Sequence, residues 1–131
     1  MDNSRKEIPD LKEKVLTISD WCDGPIFGLA YYSEELVIYD RVFSDERDSW
    51  TDYYRLLHVD KTEIRTILEE WQEWVDSVDN GTGYDFSKKS KIQNIITNKS
   101  SQDAKCMRGR FSGEIRRGFI PVSYYVEWLE E

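Results

Sequence analysis

The sequence predicts an α+β domain, an antiparallel meander of four to six strands with one main amphipathic helix, residues 61–79, packed on one face. Three observations carry that expectation. Short β-branched and aromatic runs follow one another up to residue 59, joined by connections too brief for crossover helices. One stretch then repeats its apolar residues at helical spacing. The 131 residues are 39% hydrophobic and 14% aromatic, enough for one packed core and too rich for a disordered chain.

Taken in order, residues 1–12 read as a flexible N-terminal tail and 13–131 as a single domain. Val15 to Ser19 predicts a first strand, stopped by the turn-forming Asp23-Gly24-Pro25. Ile26 to Tyr32 predicts a second, and Leu36 to about Phe43 a third. Residues 44–52 read as an acidic loop holding Trp50, and Tyr53 to Val59 as a fourth strand. The helix carries the clearest local signals. Asp60 and Glu63 match a capping box, and Asn80-Gly81 supplies a terminator. Ile64, Ile67, Leu68, Trp71, Trp74 or Val75, and Val78 line one stripe, which needs a sheet face to bury it. Beyond it, Ile92, Ile95 and Ile96 can anchor a short helix, and strands are expected near 106–111 and 122–128.

The formal charge is −8, unevenly distributed. Residues 1–80 hold 9 Lys/Arg against 20 Asp/Glu, whereas residues 81–131 hold 9 against 6. An acidic surface repels phosphates and favours basic partners, so nucleic acid is not an expected partner. The basic segment includes Lys88, Lys89, Lys91, Lys99, Lys105, Arg108, Arg110, Arg116 and Arg117, with Phe111 and Phe119 interleaved. Its simplest role is to complement the acidic remainder of the same chain. No run approaches the roughly 20 apolar residues of a membrane span. The N-terminal stretch lacks an apolar signal region, so a cytoplasmic location is expected. Cys22 and Cys106 lack metal-ligand or C-x-x-C spacing and read as reduced thiols.

No catalytic residue, metal or cofactor is expected. His58 is the only histidine, and the sequence offers it neither an orienting carboxylate nor a nucleophile, so it reads as structural. Asp45, Glu46, Asp48 and Asp52 lack the central glycine and terminal glutamate of a calcium loop. Asp20 and Asp23 form a carboxylate pair beside Trp21, and the plainer reading gives them turn hydrogen bonds with Trp21 packed under the helix. Neither nucleotide-binding glycine motif occurs.

The run from Leu16 to Tyr32, with its Trp21-x-Asp23-Gly24-Pro25 turn and Gly28-x-Ala30 strand, resembles the opening of a family of small bacterial proteins. The likeness covers about residues 15–78 and returns at 110–128. Cys22 stands where an aromatic is usual, and the basic stretch 82–105 is atypical. No reaction is assigned to that family, so no residue role carries over. By analogy, the resemblance implies an accessory protein of the immunity-protein kind.

The leading expectation is therefore an immunity protein that binds and neutralises a cognate basic toxin, a nuclease among the candidates. Its expected partner surface comprises Asp45, Glu46, Asp48, Trp50, Asp52 and Tyr53, with charge steering encounter and aromatics anchoring the complex. The alternative is a small-molecule or peptide-binding regulatory domain. Sequence alone leaves oligomeric state open.

Overall fold

The structure, a computed structural model, describes residues 11–82, 90–99 and 103–129. In chain order its elements are β1 (Lys12–Lys14), β2 (Asp20–Trp21), β3 (Pro25–Tyr32), β4 (Glu35–Ser44), β5 (Ser49–His58), α1 (Lys61–Asn80), α2 (Lys91–Asn98), β6 (Lys105–Arg116) and β7 (Ile120–Leu129). They form an antiparallel seven-stranded sheet in the order β1-β7-β6-β5-β4-β3-β2, with two helices. The α+β class holds, but among the described residues the sheet exceeds the expected four to six strands, and the short helix anticipated around Ile92–Ile96 joins the one main helix.

The seventh strand arises because two short strands, β1 and β2, replace the expected first one, and the last hairpin is also longer than its glycines suggest. Strands expected at 106–111 and 122–128 run on as β6 and β7 and pair along Arg108–Arg116, past Gly109 and Gly113. A Cβ at Gly109 would meet the Trp128 ring at 2.7 Å. That glycine makes room for aromatics and does not break the strand. The acidic loop expected over 44–52 also contracts, because Ser49 to Thr51 already belong to β5 and only residues 45–48 turn.

The expected first strand, Val15–Ser19, is not regular. Lys12–Lys14 pairs with β7, and at Val15 the chain changes neighbours. The Val15 amide donates to the Tyr124 carbonyl at 3.1 Å, while Val15 also bridges Ala30 of β3. The Leu16 and Ser19 amides then donate to the Leu29 and Phe27 carbonyls of β3. Residues 12–21 are thus one bent ribbon joining β7 to β3, and the sheet closes on itself. Of the expected tail, residues 1–10 lie outside the described residues, and Lys12 is a strand residue.

Closure creates an inner and an outer apolar cluster. The inner one gathers Val15, Ile18, Ala30, Val37, Tyr39, Tyr54, Leu56, Met107, Tyr124 and Val126, with Phe111 and Trp128 packed beside them. Its polar atoms are satisfied: Tyr39 donates to the Thr17 carbonyl at 2.8 Å, Tyr54 to Pro25 at 2.9 Å, and the Trp128 indole to Tyr31 at 3.0 Å.

The outer cluster lies under the helices and holds Ile26, Phe27, Leu29, Ile38, Leu57, Ile67, Ile92 and Ile96. The capping box is present, with the Glu63 amide donating to Asp60 at 2.8 Å and Asp60 to Glu63 at 3.0 Å. Gly81 ends α1 in the left-handed region. Of the α1 stripe, Ile67 is fully buried and the rest half-buried, because α2 supplies Ile92 and Ile96 to the same cluster.

Candidate functional site

Strand pairing places three turns at the same end of the closed sheet: residues 22–24 ahead of β3, residues 45–48 between β4 and β5, and residues 117–119 between β6 and β7. Local chemistry shapes each. In the β4–β5 turn the Ser44 hydroxyl accepts from the Arg47 amide, and Asp48 takes a left-handed conformation, which aspartate tolerates. In the first turn the Cys22 amide donates to the Gly24 carbonyl at 2.9 Å, with Asp23 and Gly24 both at positive φ.

Arg41 of β4 ties the first turn to β5. Its Nη1 donates to the Cys22 and Asp23 carbonyls at 3.3 Å, its Nε donates to the Thr51 carbonyl, and the guanidinium lies over the Tyr54 ring. Thr51 in turn donates to the Val42 carbonyl at 2.7 Å. Together they lock an irregular step in the β4–β5 register between Arg41 and Phe43.

The expected partner residues do not form one cluster. Asp45, Glu46 and Asp48 share the turn and are exposed. Trp50 is half-buried against the outer cluster and meets Phe43 edge-on, with ring centroids 5.0 Å apart. Asp52 lies against β6, where it accepts from Arg108 at 3.2 Å, and Tyr53 stands opposite the same arginine. The turn keeps the three carboxylates together, while Trp50 serves partly as packing and Asp52 is electrostatically occupied.

One other expectation needs correction. Trp21 does not pack under the helix. It borders the inner cluster and stacks on Phe119, with centroids 5.0 Å apart and planes 16° from parallel. His58 is a strand residue at the end of β5, opposite Val37, and its side chain is exposed. Asp20 does make a local hydrogen bond, accepting from the Trp21 amide at 2.9 Å. Cys22 and Cys106 are both free and exposed.

Phe119 was legible only as an aromatic interleaved among basic residues. Its φ of 57° puts a bulky side chain in the left-handed region, and it is 43% exposed. The turn that carries it is held from behind. The Trp74 indole donates to the Gly118 carbonyl at 2.8 Å, and Arg116 pairs with Asp79 through both of its Nη atoms.

Three residues of the basic segment do complement the acidic remainder. Lys99 meets Glu63 at 3.2 Å, Arg108 meets Asp52 and Arg116 meets Asp79. Lys88 and Lys89 lie outside the described residues.

At the opposite end, Leu11, Lys12, Glu13, Lys14, Tyr31, Ser33 and Glu34 line a shallow, open groove of about 540 Å³. Among the described residues, no three of His, Cys, Asp or Glu converge as metal ligands, and no helix is long and apolar enough to cross a membrane. No protein-family profile, no curated protein and no solved structure matches this chain.

Proposed function

We propose that this chain is an immunity protein that acts by binding and not by catalysis. In this reading it neutralises a cognate basic toxin, a nuclease among the candidates, in the cytoplasm, through the acidic end of the closed sheet. The observation that carries the reading is the β4–β5 turn. It presents Asp45, Glu46 and Asp48 to solvent, on a hairpin held by Arg41, next to the Phe43–Trp50 pair. Exposed carboxylates on a fixed turn suit fast encounter with a positive surface, such as the substrate-binding face of a nuclease. The test is co-expression with each polypeptide encoded beside this chain. One of them should arrest growth alone and lose that effect when this chain is present. Charge reversal at Asp45, Glu46 and Asp48 should restore the arrest. If no neighbouring product is toxic, or if protection survives the reversal, the reading fails.

The second reading, a small-molecule or peptide-binding domain, draws on the groove beside β1. That groove is open and lined largely by charged and hydroxyl side chains, unlike a dry pocket built for an apolar ligand.

A further inference from the structure

The Trp21–Phe119 stack combines three properties that packing alone does not require. It is partly open to solvent, with Phe119 43% exposed. It is fixed from several sides: Arg41 holds the turn after Trp21 through two carbonyls, the Trp74 indole holds Gly118, and Arg116 is paired with Asp79. Phe119 also keeps a left-handed backbone, where glycine would sit without penalty. A rigid, half-exposed aromatic pair loses little conformational entropy when a partner covers it.

The charges around the stack indicate what that partner carries. Asp20 and Asp23 flank Trp21 and are exposed, and the β4–β5 turn adds Asp45, Glu46 and Asp48 at the same end. Arg116 is paired with Asp79, and the five carboxylates outnumber the three other arginines of this end, Arg41, which is hydrogen-bonded to carbonyls, and the exposed Arg47 and Arg117. Aromatic rings beside carboxylates favour a guanidinium or ammonium group, which the ring faces and the negative charges attract together.

We propose that the Trp21–Phe119 stack is the anchor of the partner-binding end and takes an arginine or lysine side chain projecting from a basic protein. The inference rests on the reading of that end as an acidic binding surface, and it moves the anchoring role from Trp50 to this pair. Trp50 is partly committed to the outer cluster, whereas the stack sits where a partner reaches it.

The test is a titration of the isotope-labelled protein with an octa-arginine amide peptide, followed by ¹H–¹⁵N correlation spectra. The Trp21 indole N–H and the amides of residues 117–119 should shift and saturate, while the amides of Glu69 and Glu73, on an acidic face of α1, move little. Phe119→Gly should melt no lower than the parent and bind the peptide about 2- to 5-fold more weakly, the scale of an exposed cation–π contact. If residues 45–48 shift while Trp21 and residues 117–119 do not, the stack is not the anchor and the acidic-end reading stands. An unchanged affinity in Phe119→Gly, or a steep fall in its melting temperature, also overturns the anchor, the second by making the aromatic structural. Shifts largest on α1, or none anywhere, overturn the anchor and the acidic-end reading together.

Discussion

Glu70 of α1 accepts from the Ser90 hydroxyl of the α2 N-cap at 3.2 Å, and its carboxylate also takes the Lys91 amide at 2.8 Å. Two turns earlier on α1, Glu63 meets Lys99 at the other end of α2. The two glutamates therefore fix α2 antiparallel to α1 and hold Ile92 and Ile96 in the outer cluster. Glu70 satisfies amides that the first turn of a helix leaves without intrahelical partners.

Glu70→Ala should lower stability by about 1–2 kcal/mol, the range for losing a helix cap that accepts charge-assisted hydrogen bonds. Glu70→Gln should lose less, because an amide oxygen still accepts. Urea unfolding followed by Trp fluorescence measures both variants, and equal losses would mean that the carboxylate charge, and not the acceptor oxygen alone, carries the whole effect.

Gly28→Ala should be among the most damaging single-methyl additions in the chain. Its Cβ would overlap the Thr17 carbonyl oxygen and come 2.7 Å from the Tyr39 hydroxyl. The ribbon that closes the sheet would have to lift away from β3. A loss of about 3 kcal/mol is expected from overpacking of this kind, read as a lower urea midpoint. A stability near that of the parent would show that residues 15–19 do not lie over Gly28.

The inner cluster sets an alkaline limit on stability. Burial holds the Tyr39 hydroxyl well above its ordinary value of 10.0, and burial also raises Tyr54 and Tyr124. Each group keeps its proton in the folded state after the unfolded chain has begun to lose it. Their contribution is therefore fully present below about pH 10 and is lost as pH rises beyond it. Tyr39→Phe should flatten this fall between pH 9 and 11, and it should cost about 1 kcal/mol at pH 7 by orphaning the Thr17 carbonyl. Thermal melts across that pH range provide the check. A parallel loss in parent and variant would assign the limit to other groups.

Charge reversal at Asp45, Glu46 and Asp48 should leave folding within about 0.5 kcal/mol, since these side chains are exposed on a turn. Trp50→Ala should cost clearly more, though less than the about 3–5 kcal/mol of a fully buried aromatic. Any binding defect of Trp50→Ala therefore has to be read against its own unfolding curve. If Trp50→Ala unfolds like the parent, the Phe43–Trp50 pair is free surface and regains its claim as an anchor.

The sequence made local features legible and closure illegible. Asp60, Glu63 and Gly81 marked α1 because caps are encoded within a few residues. β3 and β4 stood out because their apolar runs are continuous and bounded by turn residues. Residues 15–19 looked like an ordinary strand, since β-branched composition does not reveal that a chain changes neighbours midway. Gly28 was the local trace of that crossing. In the site, the acidic turn could be read from charge alone. Phe119 could not be singled out, because its importance lies in a backbone angle and in Trp21, far away in sequence.

The bent ribbon of residues 12–21 also orders events in time. It pairs with β7 before Val15 and with β3 after it, and the Trp128 indole reaches the Tyr31 carbonyl across 97 positions of chain. During synthesis, β3, β4 and β5 leave the ribosome as a local meander, but Lys12–Lys14 has no partner until β7 has emerged. Until then Lys12–Lys14 and the free edge of the last strand to emerge are open to strands of other chains. Closure from such distant contacts makes this a slow step for a domain of this size. A chain stalled before residue 120 would hold most of its secondary structure and none of its seal.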